Sequence, residues 1–216
     1  MTQHQTNAKR RHAGFTLLEM VVVIAILTIL LGVLIPNMRG FVRKSRLNTA
    51  NSEAKVLYNS IQTLMQEYEF RERQMDESAF YGTAKSGTRT VFIKGNDGTI
   101  TAATSSTGRT LGNFKYGSGA DILGASLASA DASSFGMRLS RLFTDYQSVA
   151  WAAYIEDYTV RGVFCAEEPG DHYVGGYPRR ATLEVGEAGC EIPATISACS
   201  ASDIQTYSAS AWTPGT

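Results

Sequence analysis

The sequence predicts an α+β protein in which a long N-terminal helix packs on a mainly antiparallel β-sheet head. Two observations predict the helix: an apolar run extends from Phe15 to Ile35, and apolar residues then recur at spacings of three and four as far as Tyr68. A third observation predicts the sheet, because after Asp76 the sequence changes to Gly, Ser and Thr with short β-branched runs.

The composition excludes several functional classes. The chain has 216 residues and is 44% hydrophobic, which suffices for a domain core with an attached segment. It has 20 basic and 20 acidic residues, so no overall charge would attract nucleic acid or favour disorder. We therefore expect no nucleic-acid partner and look for partners in local features.

The N-terminal region is predicted to target the chain to a membrane. Residues 1–14 are polar and basic without periodicity, as in targeting segments. The apolar run behind them spans about 30 Å at about 1.5 Å per residue, and it is predicted to be transmembrane for about residues 15–36. No small-residue cleavage site follows it, so we expect the segment to be retained.

Charge and length favour a cytoplasmic N-terminus for this single-pass segment. Three basic residues precede it, Lys9, Arg10 and Arg11, but four follow it, Arg39, Arg43, Lys44 and Arg46. Long downstream regions are translocated largely regardless of charge, so we expect residues after about 40 to lie outside the membrane. The second basic cluster could contact anionic lipid headgroups before assembly or form a solvated collar on the helix.

One continuous helix is predicted over residues 15–75. Its apolar stripe consists of Leu47, Ala50, Ala54, Leu57, Ile61, Leu64 and Tyr68. Pro36 is expected to bend the helix, because it lacks the N–H donor and crowds the carbonyl one turn earlier. Gly32 lies at that position, where a small residue relieves the crowding.

Residues 76–216 are predicted to form the globular head, and the order of its elements follows from local patterns. The predicted elements are a hairpin of Thr90–Lys94 and Thr99–Ala103 around the turn Gly95–Gly98, a loop over 108–134 with at most one short helix, a helix with Phe135, Leu139, Leu142 and Phe143 behind the caps Ser133 and Ser134, two strands over Ser148–Ile155 and Tyr158–Ala166, and a last strand over Ala181–Cys190.

Three cysteines lie in the last quarter of the chain, Cys165, Cys190 and Cys199. In an exported domain one disulfide is expected, with three possible pairings and one thiol left over. We favour Cys190–Cys199 because the loop between them is short, although three buried reduced cysteines remain an alternative. The spacing has no CxxC pair and the chain has three histidines, which is not typical of a zinc site.

The head offers few other candidates for chemistry. Glu167, Glu168 and Asp171 have the oxygen ligands that calcium prefers, but they also fit a solvated turn. Asp171 and His172 lie beside each other, but no nucleophile, nucleotide or zinc-protease motif accompanies them. We therefore predict no enzymatic activity and no cofactor.

The stretch Gly14-Phe15-Thr16-Leu17-Leu18-Glu19, between a basic leader and the apolar run, closely resembles the start of type IV prepilins and of the pseudopilins of type II secretion. The resemblance is specific over about residues 8–40, and no motif is recognised beyond about residue 75. In that family a membrane peptidase cuts after the glycine and methylates the new N-terminus. The resemblance implies removal of a leader of residues 1–14, cleavage between Gly14 and Phe15, and N-methylation of Phe15.

Glu19 is the unusual residue of the apolar run. A carboxylate in a membrane span costs about 2.5–3.5 kcal/mol on insertion scales, and less near the end of the span. The resemblance implies that Glu19 pairs with the N-terminal amine of a neighbouring subunit, and that the buried pair sets the register between subunits. The alternative is an interfacial charge on a plain signal-anchor.

The resemblance implies a structural subunit of a type IV pilus or pseudopilus that polymerises through its N-terminal helix. Its partners would be further copies of itself, the prepilin peptidase, the pilus or type II secretion assembly machinery, and membrane lipid before assembly. Its location would change from the cytoplasmic membrane to an extracellular filament. The alternatives are a minor tip pilin that binds DNA or surfaces and a single-pass membrane-anchored enzyme or receptor head. Loss of Lys9, Arg10 and Arg11 with the leader leaves a mildly acidic chain, which disfavours DNA binding.

Overall fold

The computed structural model describes residues 15–75, 88–105 and 135–211. The chain divides into two compact units between Val42 and Arg43. One helix, α1 (Leu17–Met75), runs through this boundary, which confirms the predicted long N-terminal helix. The remaining elements all belong to the second unit, whose described part, from Arg43 to Ala211, we call the head.

The apolar half of α1 has its side chains exposed. Leu17–Ile35 is long and apolar enough to cross a membrane, and none of it is buried within the chain. It is the one candidate membrane span among the described residues. Such a surface needs an apolar environment, because each large side chain loses about 1.5–3 kcal/mol when it is left in water.

A five-stranded antiparallel sheet forms the centre of the head, in the order β2-β1-β3-β4-β5. The elements after α1 are β1 (Thr90–Asn96), β2 (Thr99–Ser105), α2 (Phe135–Leu142), a short 3-10 helix (Thr144–Gln147), β3 (Ala150–Glu156), β4 (Thr159–Ala166), β5 (Gly175–Tyr177) and α3 (Ala201–Ala211). Both predicted strand pairs and the helix at Phe135 are confirmed. The α+β fold predicted from the sequence is therefore correct.

Both hairpin turns have two residues and left-handed backbone. Asp97 and Gly98 (φ 48° and 69°) join β1 to β2, and Asp157 and Tyr158 (φ 44° and 62°) join β3 to β4. Two positive φ angles match the right-handed twist of the strands. The first turn has two residues and not the four predicted over Gly95–Gly98, because β1 continues to Asn96.

The sheet has a hydrophobic core on each face. Trp151 and Ala153 of β3 point to one face and Ala152 and Tyr154 to the other, as strand alternation requires. On the first face the sheet packs against α2 and against α1 from Ala54 to Tyr68. The whole predicted stripe of α1 is buried, and its first residue, Leu47, belongs to the core on the second face. The second face is covered by residues of the C-terminal segment and α3: Val174, Ala181, Ile192, Ile196, Cys199, Ile204 and Tyr207.

The C-terminal part of the head corrects the prediction. The strand predicted over Ala181–Cys190 is wrong, because this segment is a series of turns with left-handed Gly186 (φ 97°) and Gly189 (φ 86°). The alternation of Leu183 and Val185 predicted a strand, but a strand cannot continue through two residues with positive φ angles. The structure instead has the short β5 and the helix α3, which the sequence analysis did not predict.

The helix over residues 135–143 also differs in detail. Phe135, Leu139 and Phe143 are buried as predicted, but Leu142 is 46% exposed. The predicted caps Ser133 and Ser134 and the predicted loop over 108–134 lie outside the described residues.

Candidate functional site

The N-terminus of α1 carries a reciprocal pair of hydrogen bonds between Thr16 and Glu19. The Thr16 N–H donates to Glu19 Oε2 (2.8 Å), and the Thr16 hydroxyl donates to the same oxygen (2.9 Å). The Glu19 N–H donates in turn to Thr16 Oγ1 (3.2 Å). This is a capping box, in which a Thr before the helix and a Glu three residues later bind each other's backbone N–H groups.

The capping box gives Glu19 a role that the sequence analysis missed. The first N–H groups of a helix have no partner within the helix, and Glu19 and Thr16 each satisfy one of them. Thr16 lies within the N-terminal motif, and its role as a helix cap was not predicted. The signal was present, because Thr-x-x-Glu before an apolar run is the sequence pattern of a capping box.

Phe15, the residue before the box, is 80% exposed at the start of the described chain. Gly14 lies outside the described residues, so cleavage between Gly14 and Phe15 and methylation of Phe15 stay predictions. The helix continues through Pro36, and a side chain at Gly32 would meet no atom within 4 Å beyond its own helical turn. The predicted bend at Pro36 also stays a prediction.

Two residues of the basic cluster that follows the apolar run, Arg43 and Arg46, contact other side chains of the head. Arg43 forms ion pairs with Glu184 and Glu187 of the C-terminal segment. These carboxylates, Glu187 first, raise the pKa of Arg43. Arg46 lies over the ring of Tyr173, with its guanidinium carbon 5.3 Å from the ring centroid. Arg43 and Arg46 therefore bind other residues of the head. This differs from both predicted roles of the cluster, contact with lipid headgroups and a solvated collar.

Two amide side chains of α1 fasten the helix to the rest of the head. Buried Asn51 donates to the Ala181 carbonyl (2.9 Å) and accepts from the N–H groups of Gly176 (3.0 Å) and Ala181 (2.8 Å). Gln62 donates to the Tyr158 carbonyl (3.1 Å) and accepts from the Val160 N–H (2.8 Å). These hydrogen bonds to backbone groups that are distant in the sequence make the second half of α1 an integral part of the head.

The three cysteines are free thiols in the structure. Cys165 belongs to the core between the sheet and α1, whereas Cys199 belongs to the core on the opposite face. Cys190 packs against the same core as Cys199. A bond from Cys165 to either of the others would have to pass through the sheet, so Cys190–Cys199 is the pairing that this fold leaves open. The disulfide itself stays a prediction.

The calcium candidates Glu167, Glu168 and Asp171 do not converge as a metal site requires. Within residues 15–75, 88–105 and 135–211, no group of three or more Asp, Glu, His or Cys side chains is placed to hold a metal ion. Asp171 Oδ1 instead accepts the Tyr173 N–H (3.1 Å), and the Nδ1 of His172 lies 2.9 Å from the Val185 carbonyl oxygen. Asp171 therefore serves its own turn, whereas His172 links that turn to the segment around Val185.

Residues 9–35 match the family described as the prokaryotic N-terminal methylation motif. This is the prepilin motif of type IV pilins and pseudopilins, and it supports a type IV pilin-like or pseudopilin subunit. It is a structural motif and not an enzyme family, and with the apolar helix it fits a membrane-anchored pilin-like protein. Neither a curated protein nor a solved structure matches the chain.

Proposed function

We propose that this protein is a structural subunit of a type IV pilus or pseudopilus. It is made as a prepilin, cleaved by the prepilin peptidase after Gly14, N-methylated at Phe15, and polymerised through its N-terminal helix. Residues 1–14 are the removed leader, residues 15–75 form the long helix that spans the membrane over about residues 15–36, and residues 76–216 form the globular region that follows it. The observation that carries the proposal is the methylation motif over residues 9–35.

The surface of α1 supports polymerisation. The apolar side chains of Leu17–Ile35 can be buried either in lipid or among equivalent helices of other subunits. A subunit that leaves the membrane loses its lipid contacts, so it needs helices of the same character as neighbours. Further copies of this chain provide them.

Glu19 supports an ordered assembly. Cleavage would create a positive amine at Phe15, and an amine in an apolar filament core needs a negative partner within reach. Glu19 is the one carboxylate of the apolar span and it lies one helical turn from Phe15. Pairing of the amine with Glu19 of a neighbouring subunit would neutralise both charges and set the subunit register.

Mass spectrometry of the N-terminal peptide from native cells tests the proposal. We expect a mature chain that begins at N-methylated Phe15. An intact leader on protein in the membrane would contradict it and would favour a membrane-anchored enzyme or receptor head. Cleaved protein that is found only at filament tips would identify a minor pilin instead.

A further inference from the structure

Glu53 of α1 lines a cleft of the head whose walls carry several charged side chains. The cleft has a volume of about 360 Å³. Its walls come from α1, the start of β3 and the loop after β4: Ser45, Arg46, Thr49, Ala50, Glu53, Ser148, Val149, Glu167, Asp171 and Tyr173. Glu53 is partly buried at the inner wall.

The hydrogen-bond partner of the Glu53 carboxylate is a thiol. Cys165 Sγ lies 3.8 Å from Glu53 Oε2, and Cys165 is fully buried in β4. Burial raises the pKa of Cys165 well above its usual value, so the thiol stays protonated and acts as the donor. A thiol is a weak donor, and it compensates little of the hydration that a carboxylate loses on burial.

The other charges around Glu53 are mostly negative. Asp145 of the 3-10 helix and Glu167 after β4 both act on it, and Asp171 lines the same cleft. The basic residue of the cleft wall is Arg46, whose guanidinium lies over the ring of Tyr173. Burial first, and then the field of Asp145, raises the pKa of Glu53 above its ordinary value of 4.5, while the Cys165 thiol opposes the shift.

We propose that Glu53 is a proton-binding site that makes the head more stable as the surroundings become acidic. A carboxyl group that holds its proton more tightly in the folded than in the unfolded chain gains stability as the pH falls through its folded-state pKa. Above that pKa the charged form destabilises the fold, because it is desolvated and faces like charges. All these groups lie in the head, so the inference does not depend on polymerisation.

Thermal unfolding of the full chain in detergent tests the inference, with Glu53→Gln as the main variant. Glutamine keeps the shape and removes the charge. We expect Glu53→Gln to unfold at a higher temperature than the wild type in alkaline buffer. The difference of at least about 2 °C should shrink as the pH falls through the folded-state pKa, and it should vanish below the ordinary carboxyl value of 4.5. Glu168→Gln is the matched control, because Glu168 is exposed and does not line the cleft. It should keep the pH dependence of the wild type.

Infrared spectroscopy provides a second measurement that reports the proton directly. As the pH falls, the folded wild type should gain part of its protonated-carboxyl band above the pH at which ordinary carboxyl groups titrate, and Glu53→Gln should lack this part. Asp145→Asn retains Glu53 but removes a neighbouring negative charge, so this variant should gain the band at lower pH than the wild type. If Glu53→Gln does not fold, this shift of the band tests the inference by itself. Unchanged pH dependence of unfolding in Glu53→Gln, or an identical band in all variants, would overturn the inference.

Discussion

Thr16 and Glu19 cap the first turn of the membrane helix for each other, with the Thr16 hydroxyl 2.9 Å from Glu19 Oε2 and the Glu19 N–H 3.2 Å from Thr16 Oγ1. The carboxylate that would bind a neighbouring subunit's amine in a filament is therefore already hydrogen-bonded within its own chain. Two roles of Glu19 must be separated by experiment: a local cap, which needs an acceptor, and a partner for the amine, which needs a charge.

Substitutions of Glu19 separate these roles. Glu19→Val removes both the acceptor and the charge, whereas Glu19→Gln keeps an acceptor for Thr16 and removes only the charge. We expect membrane insertion of both variants to be unimpaired, because an expensive charge is gone. Both should lose filaments, because an unpaired amine in an apolar core costs several kcal/mol. The measurement is sheared surface filament against membrane-bound subunit.

A capping role alone predicts a different result for the same pair. Loss of a cap costs about 0.5–2 kcal/mol, and Glu19→Gln would avoid most of it. Abundant filaments from Glu19→Gln would therefore mean that Glu19 acts as a cap and not as a charge partner. Thr16→Ala is the complementary control, since it removes the capping hydroxyl and leaves the charge.

Gly14→Val should leave an uncleaved precursor in the membrane. A peptidase that cuts after Gly14 must bind an extended backbone closely at that position, and a β-branched side chain obstructs this approach. Gel mobility of the membrane fraction measures the processing. Gly32→Ala is the matched control, because a side chain there meets no neighbouring atom and lies far from the cut. Normal cleavage of Gly14→Val would refute the processing site.

Asn51→Ala should destabilise the head by about 2–4 kcal/mol. It leaves the Gly176 N–H and both backbone groups of Ala181 without the partner that the buried amide provides. For a chain of this size the unfolding temperature should fall by about 4 °C or more. Asn59→Ala, at an exposed position of the same helix, should change it little. Equal unfolding temperatures for the two variants would contradict the role given to Asn51.

Gly175→Ala should also be destabilising, for a steric reason. A Cβ atom at Gly175 would collide with the backbone of Ala50 and Asn51, and a helix backbone cannot move aside as a side chain can. Overpacking of this kind costs about 1–3 kcal/mol or more. Gly170→Ala, which meets no atom within 4 Å, is the control. Urea unfolding of the two variants compares them, and no difference would mean that β5 does not lie against α1.

The cysteines give a prediction that depends on the two faces of the sheet. Protein recovered from outside the cell should contain a Cys190–Cys199 disulfide and a free Cys165, because Cys165 lies on the other face. Peptide mapping after thiol labelling under denaturing conditions measures this, and Cys165→Ala should retain the bond. A disulfide that includes Cys165 would contradict the placement of β4. Three labelled thiols would remove the disulfide and part of the case for export.

The sequence alone determined the elements that depend on neighbours along the chain. The apolar run, the stripe from Leu47 to Tyr68, both hairpins and the helix at Phe135 follow from periodicity and turn residues, which act over a few positions. The N-terminal motif is local in the same sense, and it carries the proposed function. The spacing of Thr16 and Glu19 also predicts a capping box, and the structure contains it.

The tertiary structure decided everything that depends on contacts between distant positions. Asn51 meets Ala181 across 130 residues, and only their meeting explains why an amide lies on the buried face of α1. By local pattern, the glycines of β5 indicate a turn. The structure explains Gly175 differently, because the backbone of α1 lies so close that a side chain would not fit. Contacts between distant positions also place the cysteines on two faces of the sheet and bring the Cys165 thiol beside Glu53. Burial and hydrogen bonding depend on which elements pack together, and local pattern does not contain that information.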